Sequence, residues 1–158
     1  MPTFRQSPVT DDTAHALLAE YFAYRERTFP NAAGYVTTFP APEQFEPPAG
    51  VFLVLEEDGA EVGCGGVRDL GGGRFEVKHL WLRPELQGRG LGRALLAELE
   101  ARAVALGATE LVLDTNASLA AAGGLYRSSG YVDIPPYNDN PNATNWYGKS
   151  VSTSLDHR

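Results

Sequence analysis

Cysteine occurs once among the 158 residues, at Cys64. No internal disulfide can form, and a reducing, cytoplasmic location is the expectation. The three histidines, His15, His79 and His157, lie far apart without cysteines or paired carboxylates beside them, so no metal site is expected. Lys and Arg number 13 against 20 Asp and Glu, a net charge of −7, and the basic residues form no run. That argues against nucleic acid or an anionic membrane surface as partner. No apolar stretch approaches the roughly 18 residues that span a bilayer, and no signal-peptide pattern opens the chain. Repeats and low-complexity segments are absent.

What remains is ordinary for one globular domain over residues 1–158: 43% hydrophobic and 21% charged, long enough to bury a core. A mildly acidic protein suits a cationic substrate. Thr3 to Gln6 reads as a short strand. Asp11 and Asp12 then open a helix that carries Ala14, Leu17, Leu18, Tyr21 and Phe22 at helical spacing to about Arg27. Thr28 to Gly50 holds Pro30, Pro40, Pro42, Pro47 and Pro48 among aromatics, the character of a binding loop with room for one short helix. Val51 to Glu56, Glu61 to Leu70 and Arg74 to Leu82 form a strand meander, punctuated by Asp58-Gly59 and Gly71 to Gly73.

A helix should begin near Leu91, bury Leu95, Leu96, Leu99, Ala103 and Leu106, and stop at Gly107. Glu110 to Thr115 is a buried strand. Strand, crossover helix and strand imply a parallel pair with a right-handed crossover. A second helix from about Leu119 to Ser128 ends at Gly130, and short strands follow near Tyr131 to Ile134 and Trp146 to Val151. The fold class is α/β, with a mixed, mainly antiparallel sheet.

The most informative stretch joins the third meander strand to the first crossover helix. Gly88, Gly90 and Gly92 permit a sharp turn and close approach of a ligand to the main chain. The helix beyond them aims its free N–H groups and positive dipole end at the same place, which favours a phosphate or pyrophosphate. A dinucleotide fingerprint needs G-x-G-x-x-G directly after a strand. Here the spacing is G-x-G-x-G, Arg93 stands where the third glycine would be, and five residues separate Leu82 from Gly88. Asp114 lies suitably downstream, but the glycine spacing fails. A P-loop is excluded because no Gly-Lys-Ser/Thr follows.

Gln87 to Gly92 (Gln-Gly-Arg-Gly-Leu-Gly) resembles the Gln/Arg-x-x-Gly-x-Gly/Ala signature of the GNAT superfamily of acyl-CoA-dependent N-acyltransferases. The strand Val77 to Leu82 before it, Leu111 to Asn116 after the helix, and Leu125 to Tyr131 (Leu-Tyr-Arg-Ser-Ser-Gly-Tyr) resemble that family's further elements in order. Phe75 to Leu80 and Ile134 to Asp139 are similar to small, stand-alone bacterial members.

The resemblance implies a sheet of about six to seven strands with about four helices, and a splayed parallel strand pair at the acyl-CoA site. It implies acetyl-CoA as co-substrate, with main-chain groups of Leu80, Trp81 and Leu82 pairing to the pantetheine arm. The Leu82 N–H would serve as an oxyanion donor. Amides of Gly88, Arg89, Gly90, Leu91, Gly92 and Arg93 would cradle the pyrophosphate, with the Gln87 side chain bracing the loop. Tyr126 occupies the family's Tyr position and would touch the cofactor and protonate the leaving thiolate, a phenol having pKa about 10. The position where many relatives carry a pantetheine-binding Asn is Leu119 here, and Asn116 is not its equivalent.

A base must also take a proton from the amine, because a primary amine is protonated near neutral pH. Glu76, the one carboxylate in an otherwise apolar strand, is the candidate, and strand alternation puts it on one face with Lys78, Leu80 and Leu82. By the same alternation His79 faces the other way and reads as structural, as does Asp114 at a strand end. Cys64 reads as a small buried residue. The expected activity is N-acetylation of a small-molecule primary amine. The alternative is a non-catalytic acyl-CoA-binding or sensor domain, against which Tyr126 speaks. Many relatives dimerise, which keeps a homodimer among the expected partners.

Overall fold

A seven-stranded sheet runs in the order β1-β2-β3-β4-β5-β7-β6. The strands are β1 (Thr3–Gln6), β2 (Gly50–Glu57), β3 (Ala60–Gly71), β4 (Arg74–Leu82), β5 (Glu110–Thr115), β6 (Val132–Asp133) and β7 (Asn145–Ser150). The helices are α1 (Asp12–Thr28), α2 (Leu91–Ala105) and α3 (Ala120–Ser128). This computed structural model describes residues 2–29, 37–116 and 120–151.

All pairings are antiparallel except β4 with β5, so the expected mixed sheet is present. About four helices were expected, and the described residues hold three α-helices and two short 3-10 turns, Pro42–Phe45 and Pro84–Leu86. A proline opens each turn, where its fixed φ fits and its missing N–H would be unpaired in any case.

Two apolar clusters sandwich the sheet. On one face, α2 buries Leu95, Leu96, Leu99 and Ala103 at 1% exposure or less against Phe75, Val77 and Leu111. Each such leucine contributes about 1.5–3 kcal/mol relative to an exposed one. On the other face, α1 buries Leu17, Leu18 and Phe22 against Phe52, Val54 and Trp81. The Phe45 ring closes this side over Gly66, where a Cβ would come within 2.7 Å of it. That close approach accounts for a glycine inside a buried strand.

The feature that positions the site is the brevity of the parallel pairing. β4 and β5 register only at Arg74↔Glu110, Phe75↔Leu111 and Glu76↔Val112. From Val77 onward β4 continues without β5 beside it. On its other edge, Gly66 pairs with Lys78 and Cys64 with Trp81, so Gly65 alone opposes both His79 and Leu80. This bulge places His79 at φ 59°, in the left-handed region. Bulges bend a strand and add twist, which accounts for the parting of the pair.

Candidate active site

The gap between β4 and β5 opens into two cavities. The first, about 730 Å³, is lined by Leu80 to Leu82, by Gln87, Gly88, Gly90, Gly92 and Arg93, and by Leu125, Tyr126 and Ser128 of α3. Gly88 and Gly90 sit at φ 83° and 82°, conformations that cost a side-chain-bearing residue about 1–2 kcal/mol. Gly90 is the N-cap of α2 and no side chain bonds the helix's first amides, whereas α1 is capped by Asp11, which accepts from the Thr13 and Ala14 N–H groups. The first turn of α2 therefore presents unpaired donors and the positive dipole end to the cavity, a seat for an anion. Gln87 braces the turn by donating from Nε2 to the Leu82 carbonyl at 3.1 Å. Arg93 ties the helix start to the end of α3, with Nη2 at 2.6 Å from Ser128 Oγ. The Arg89 side chain turns instead toward Glu57, Nη1 to Oε1 3.3 Å. Leu91 is buried in the core beneath the turn.

The second cavity, about 470 Å³, shares Tyr21, Arg25, Leu80 and Tyr126 with the first. Phe39 and Phe45 of the proline-rich loop wall one side and residues 138 and 140–143 the other, so the loop reaches the site as expected. The second wall is fixed by side chain to main chain bonds. Asn138 accepts the Asn140 N–H, and Asn140 accepts the Asn142 N–H. Asn138 also donates to Asp114 Oδ2 at 2.6 Å and accepts from Trp146 Nε1 at 2.9 Å.

Tyr126 stands at the junction, 7% exposed, its ring beside Tyr131 and Tyr147. Burial raises its pKa, the Asp114 charge adds to the rise, and Arg25 opposes it. The phenol is therefore protonated at neutral pH, the state a proton donor requires. Leu80 and Leu82 pack toward α2, while Trp81 sits on the α1 side with Tyr24 at 5.0 Å between centroids.

Two expectations about β4 need correction. Glu76 and Lys78 do not share a face with Leu80 and Leu82, and His79 does not oppose Glu76. The bulge at His79 resets the alternation by one residue, so Glu76, Lys78, His79 and Trp81 lie toward α1 while Leu80 and Leu82 lie toward α2. His79 makes ring contacts with Tyr21, Phe22 and Phe45 and lines the second cavity. Burial lowers its pKa to about 3, with the charges of Lys78 and Arg68 adding to the fall, so the imidazole is neutral.

Glu76 is fully buried and both its oxygens are engaged. Oε1 accepts from Arg68 Nε at 2.9 Å and lies 2.8 Å from Arg68 Nη2, and Oε2 accepts from the Tyr137 hydroxyl at 2.6 Å. Asp114, by contrast, lines the cavity. Its Oδ1 is 3.6 Å from Lys78 Nζ. Asn116 lies buried at the end of β5 and donates to the Asn142 carbonyl at 3.1 Å. Cys64 is fully buried with its pKa pushed up by desolvation, which leaves it inert. Leu119 lies outside the described residues.

Arg25, Arg68 and Lys78 are the site residues that sequence reasoning passed over. For Arg68 a signal existed: counting back from the glycine turn pairs it with Glu76 across the hairpin. Arg25 is 5% exposed, a buried cation one turn beyond Tyr21 on the helix face that lines both cavities. The acidic composition suggested a cationic acceptor, yet three of the four charged side chains lining this cavity are cations.

Among the described residues no helix is long and apolar enough to cross a membrane, and no group of three metal-ligating side chains converges. Residues 12–131 match the model of the acetyltransferase (GNAT) family. An IAA acetyltransferase of Azospirillum brasilense is 32% identical over 84% of this chain and 85% of its own. An uncharacterised N-acetyltransferase of Schizosaccharomyces pombe is 40% identical over 62% of this chain, and the match spans 61% of that protein's length. A Klebsiella pneumoniae protein assigned as an acyl-CoA N-acyltransferase superposes with TM-score 0.76 at 28% identity, covering 95% of this chain and 97% of its own. The open strand pair, the uncapped glycine turn and these matches agree, and the chain belongs to the acetyltransferase (GNAT) family of acyl-CoA-dependent N-acyltransferases.

Proposed function

We propose that the protein moves the acetyl group of acetyl-CoA to the primary amine of a small acceptor by direct attack through a tetrahedral intermediate. The observation that carries this reading is the meeting of two cavities at Leu80 and Tyr126, one seated on an uncapped helix start and the other walled by side chains. In it, the pyrophosphate rests on the amides from Gly88 to Arg93. The pantetheine arm runs along Leu80 to Leu82, whose backbone has no β5 partner. A main-chain N–H of that stretch, the one on Leu82 being the expected donor, faces the thioester oxygen.

The amine enters from the second cavity, whose volume suits a small molecule better than a folded protein. Its lone pair forms the new C–N bond while negative charge moves to the carbonyl oxygen. Collapse of the intermediate breaks the C–S bond, and Tyr126 delivers its proton to the departing sulfur. Arg25, whose charge already opposes the rise in the Tyr126 pKa, stabilises the phenolate left behind. The amine's surplus proton passes to Asp114, the carboxylate that lines the cavity, rather than to Glu76, which lies behind Arg68 and does not line it. Glu76 acts as the anchor of that wall.

The name of the Azospirillum brasilense relative agrees with acetyl transfer. The test is release of free CoA thiol from acetyl-CoA across a panel of small amines, beside calorimetry of acetyl-CoA binding. Acetyl-CoA binding with amine-dependent CoA release is expected. Tight binding without release from any amine would instead support the acyl-CoA-binding domain.

A further inference from the structure

The charge arrangement of the second cavity carries its own information about what enters it. Two carboxylates and three cations converge there, and the carboxylates are the less exposed partners. Glu76 and Asp114 keep 1% and 6% side-chain exposure, against 28% for Arg68 and 21% for Lys78. The cavity therefore sees the Arg68 guanidinium with its counter-charge behind it, and the Lys78 ammonium beside the less exposed Asp114.

Those edges have capacity left. A guanidinium carries five N–H groups. Arg68 directs Nε and Nη2 at Glu76 and Nη1 at Gln44 Oε1, 2.7 Å away, leaving one N–H on each terminal nitrogen. Lys78 Nζ lies 4.0 Å from Glu76 and 3.6 Å from Asp114, both longer than the roughly 2.7–2.9 Å of a charge-assisted hydrogen bond. The same two cations act on His79 between them, which stays neutral and cancels no positive charge. Arg25 adds a third cation at the end near Tyr126. The opposite wall is apolar, with Phe22 and Phe39 rings 4.9 Å apart and Phe45 beside His79.

Building on the acetyl-transfer reading above, we infer that the acceptor is an amino-carboxylate with an apolar body: Arg68 and Lys78 hold its carboxylate, the Phe22, Phe39 and Phe45 rings its apolar part, and its amine points to Tyr126. A guanidinium fork with unused N–H groups, and an ammonium beside it, are the side-chain geometry that matches a carboxylate. An amine without an anionic group leaves those donors unmatched on the same path.

The test reads binding to the CoA-loaded protein, with no turnover required. Calorimetry compares phenylalanine and 3-phenylpropanoate, which carry the carboxylate, with phenethylamine, which does not. Both carboxylates should bind about 100-fold more tightly than the amine, the order expected of hydrogen bonds to a charged group. In the double variant Arg68→Gln/Glu76→Gln, which removes both halves of the buried pair, that preference should fall at least tenfold while phenethylamine affinity holds. Melting curves check that the variant is folded, and Lys78→Gln gives an independent second measurement with the same expected loss. Equal or weaker binding of the carboxylates, no binding of either at millimolar concentration, or a preference that survives in both variants would overturn the inference. CoA release separates the two readings. Acetylation of phenethylamine and phenylalanine alike leaves acetyl transfer standing without the carboxylate site, whereas carboxylate preference in binding without CoA release does the reverse.

Discussion

Arg68 closes on Glu76 through two nitrogens of one guanidinium, and the cation rather than the carboxylate looks into the cavity. An isolated ionised carboxylate at Glu76's depth would be strongly unfavourable, so the pair stands or falls together. Glu76→Ala should cost about 3–5 kcal/mol of unfolding free energy in urea, because it strands Arg68 and opens a void under Tyr137. The double variant Arg68→Gln/Glu76→Gln should cost clearly less than the sum of its two single changes. Strict additivity would show that the pair is not coupled.

Gly90→Glu tests the anion seat. Nothing lies within 4 Å of where its Cβ would sit, so the fold meets no clash, only the strain of φ 82°. That strain is about 1–2 kcal/mol. The new carboxylate, however, stands before the unpaired first amides of α2. Acetyl-CoA affinity should fall at least 100-fold by calorimetry while the urea midpoint drops only modestly. Undiminished affinity would move the pyrophosphate elsewhere.

His79 links the acceptor cavity to stability at low pH. Its pKa is lowered to about 3 in the folded chain against about 6.5 unfolded, so between those values the unfolded state binds the extra proton. Stability should therefore be complete above pH 6.5 and fall on acidification, with a limiting slope of about 1.4 kcal/mol per pH unit from this group. Asn tolerates left-handed backbone, so His79→Asn should fold and lose that component of the slope. Unfolding free energies from pH 7 to 4 check it, and identical slopes in both proteins would exclude His79 as the source.

Most of the fold could be read from residue order because its boundaries carry local chemistry. Asp58-Gly59, Gly71 to Gly73 and Gly107 mark real turns at positive φ, and Asp11 caps α1 as its spacing suggests. The β4 bulge was hidden, because His79 is a non-glycine residue at positive φ and period-two reasoning passes straight over it. One residue of slip then misassigned the faces of everything beyond it. The cofactor turn was legible since its glycines act locally. The acceptor wall was not, for Tyr137 reaches Glu76 across 61 residues and Asn138 reaches Asp114 across 24. Such meetings are set by the closing of β7 onto β5, and no local pattern encodes them.

The last prediction separates proton donor from proton acceptor. Tyr126→Phe keeps the ring between Tyr131 and Tyr147 and removes only the hydroxyl, so acetyl-CoA affinity should stay within about twofold while kcat falls about 10²–10⁴-fold. In the unaltered protein, burial holds the phenol above its usual pKa of about 10, so the donor stays protonated and loss of it should not lower kcat below that pH. As the receiver of the amine's proton, Asp114 should govern the acidic limb of kcat/KM. Asp114→Asn should abolish that acidic limb with a large loss of kcat, whereas Glu76→Gln should keep the limb and show its defect in stability and acceptor KM. The Lys78 ammonium beside Asp114 persists in both variants, so a change in the limb confined to Asp114→Asn reports the carboxylate itself. A limb lost in Glu76→Gln and kept in Asp114→Asn would return the base to Glu76, acting through Tyr137.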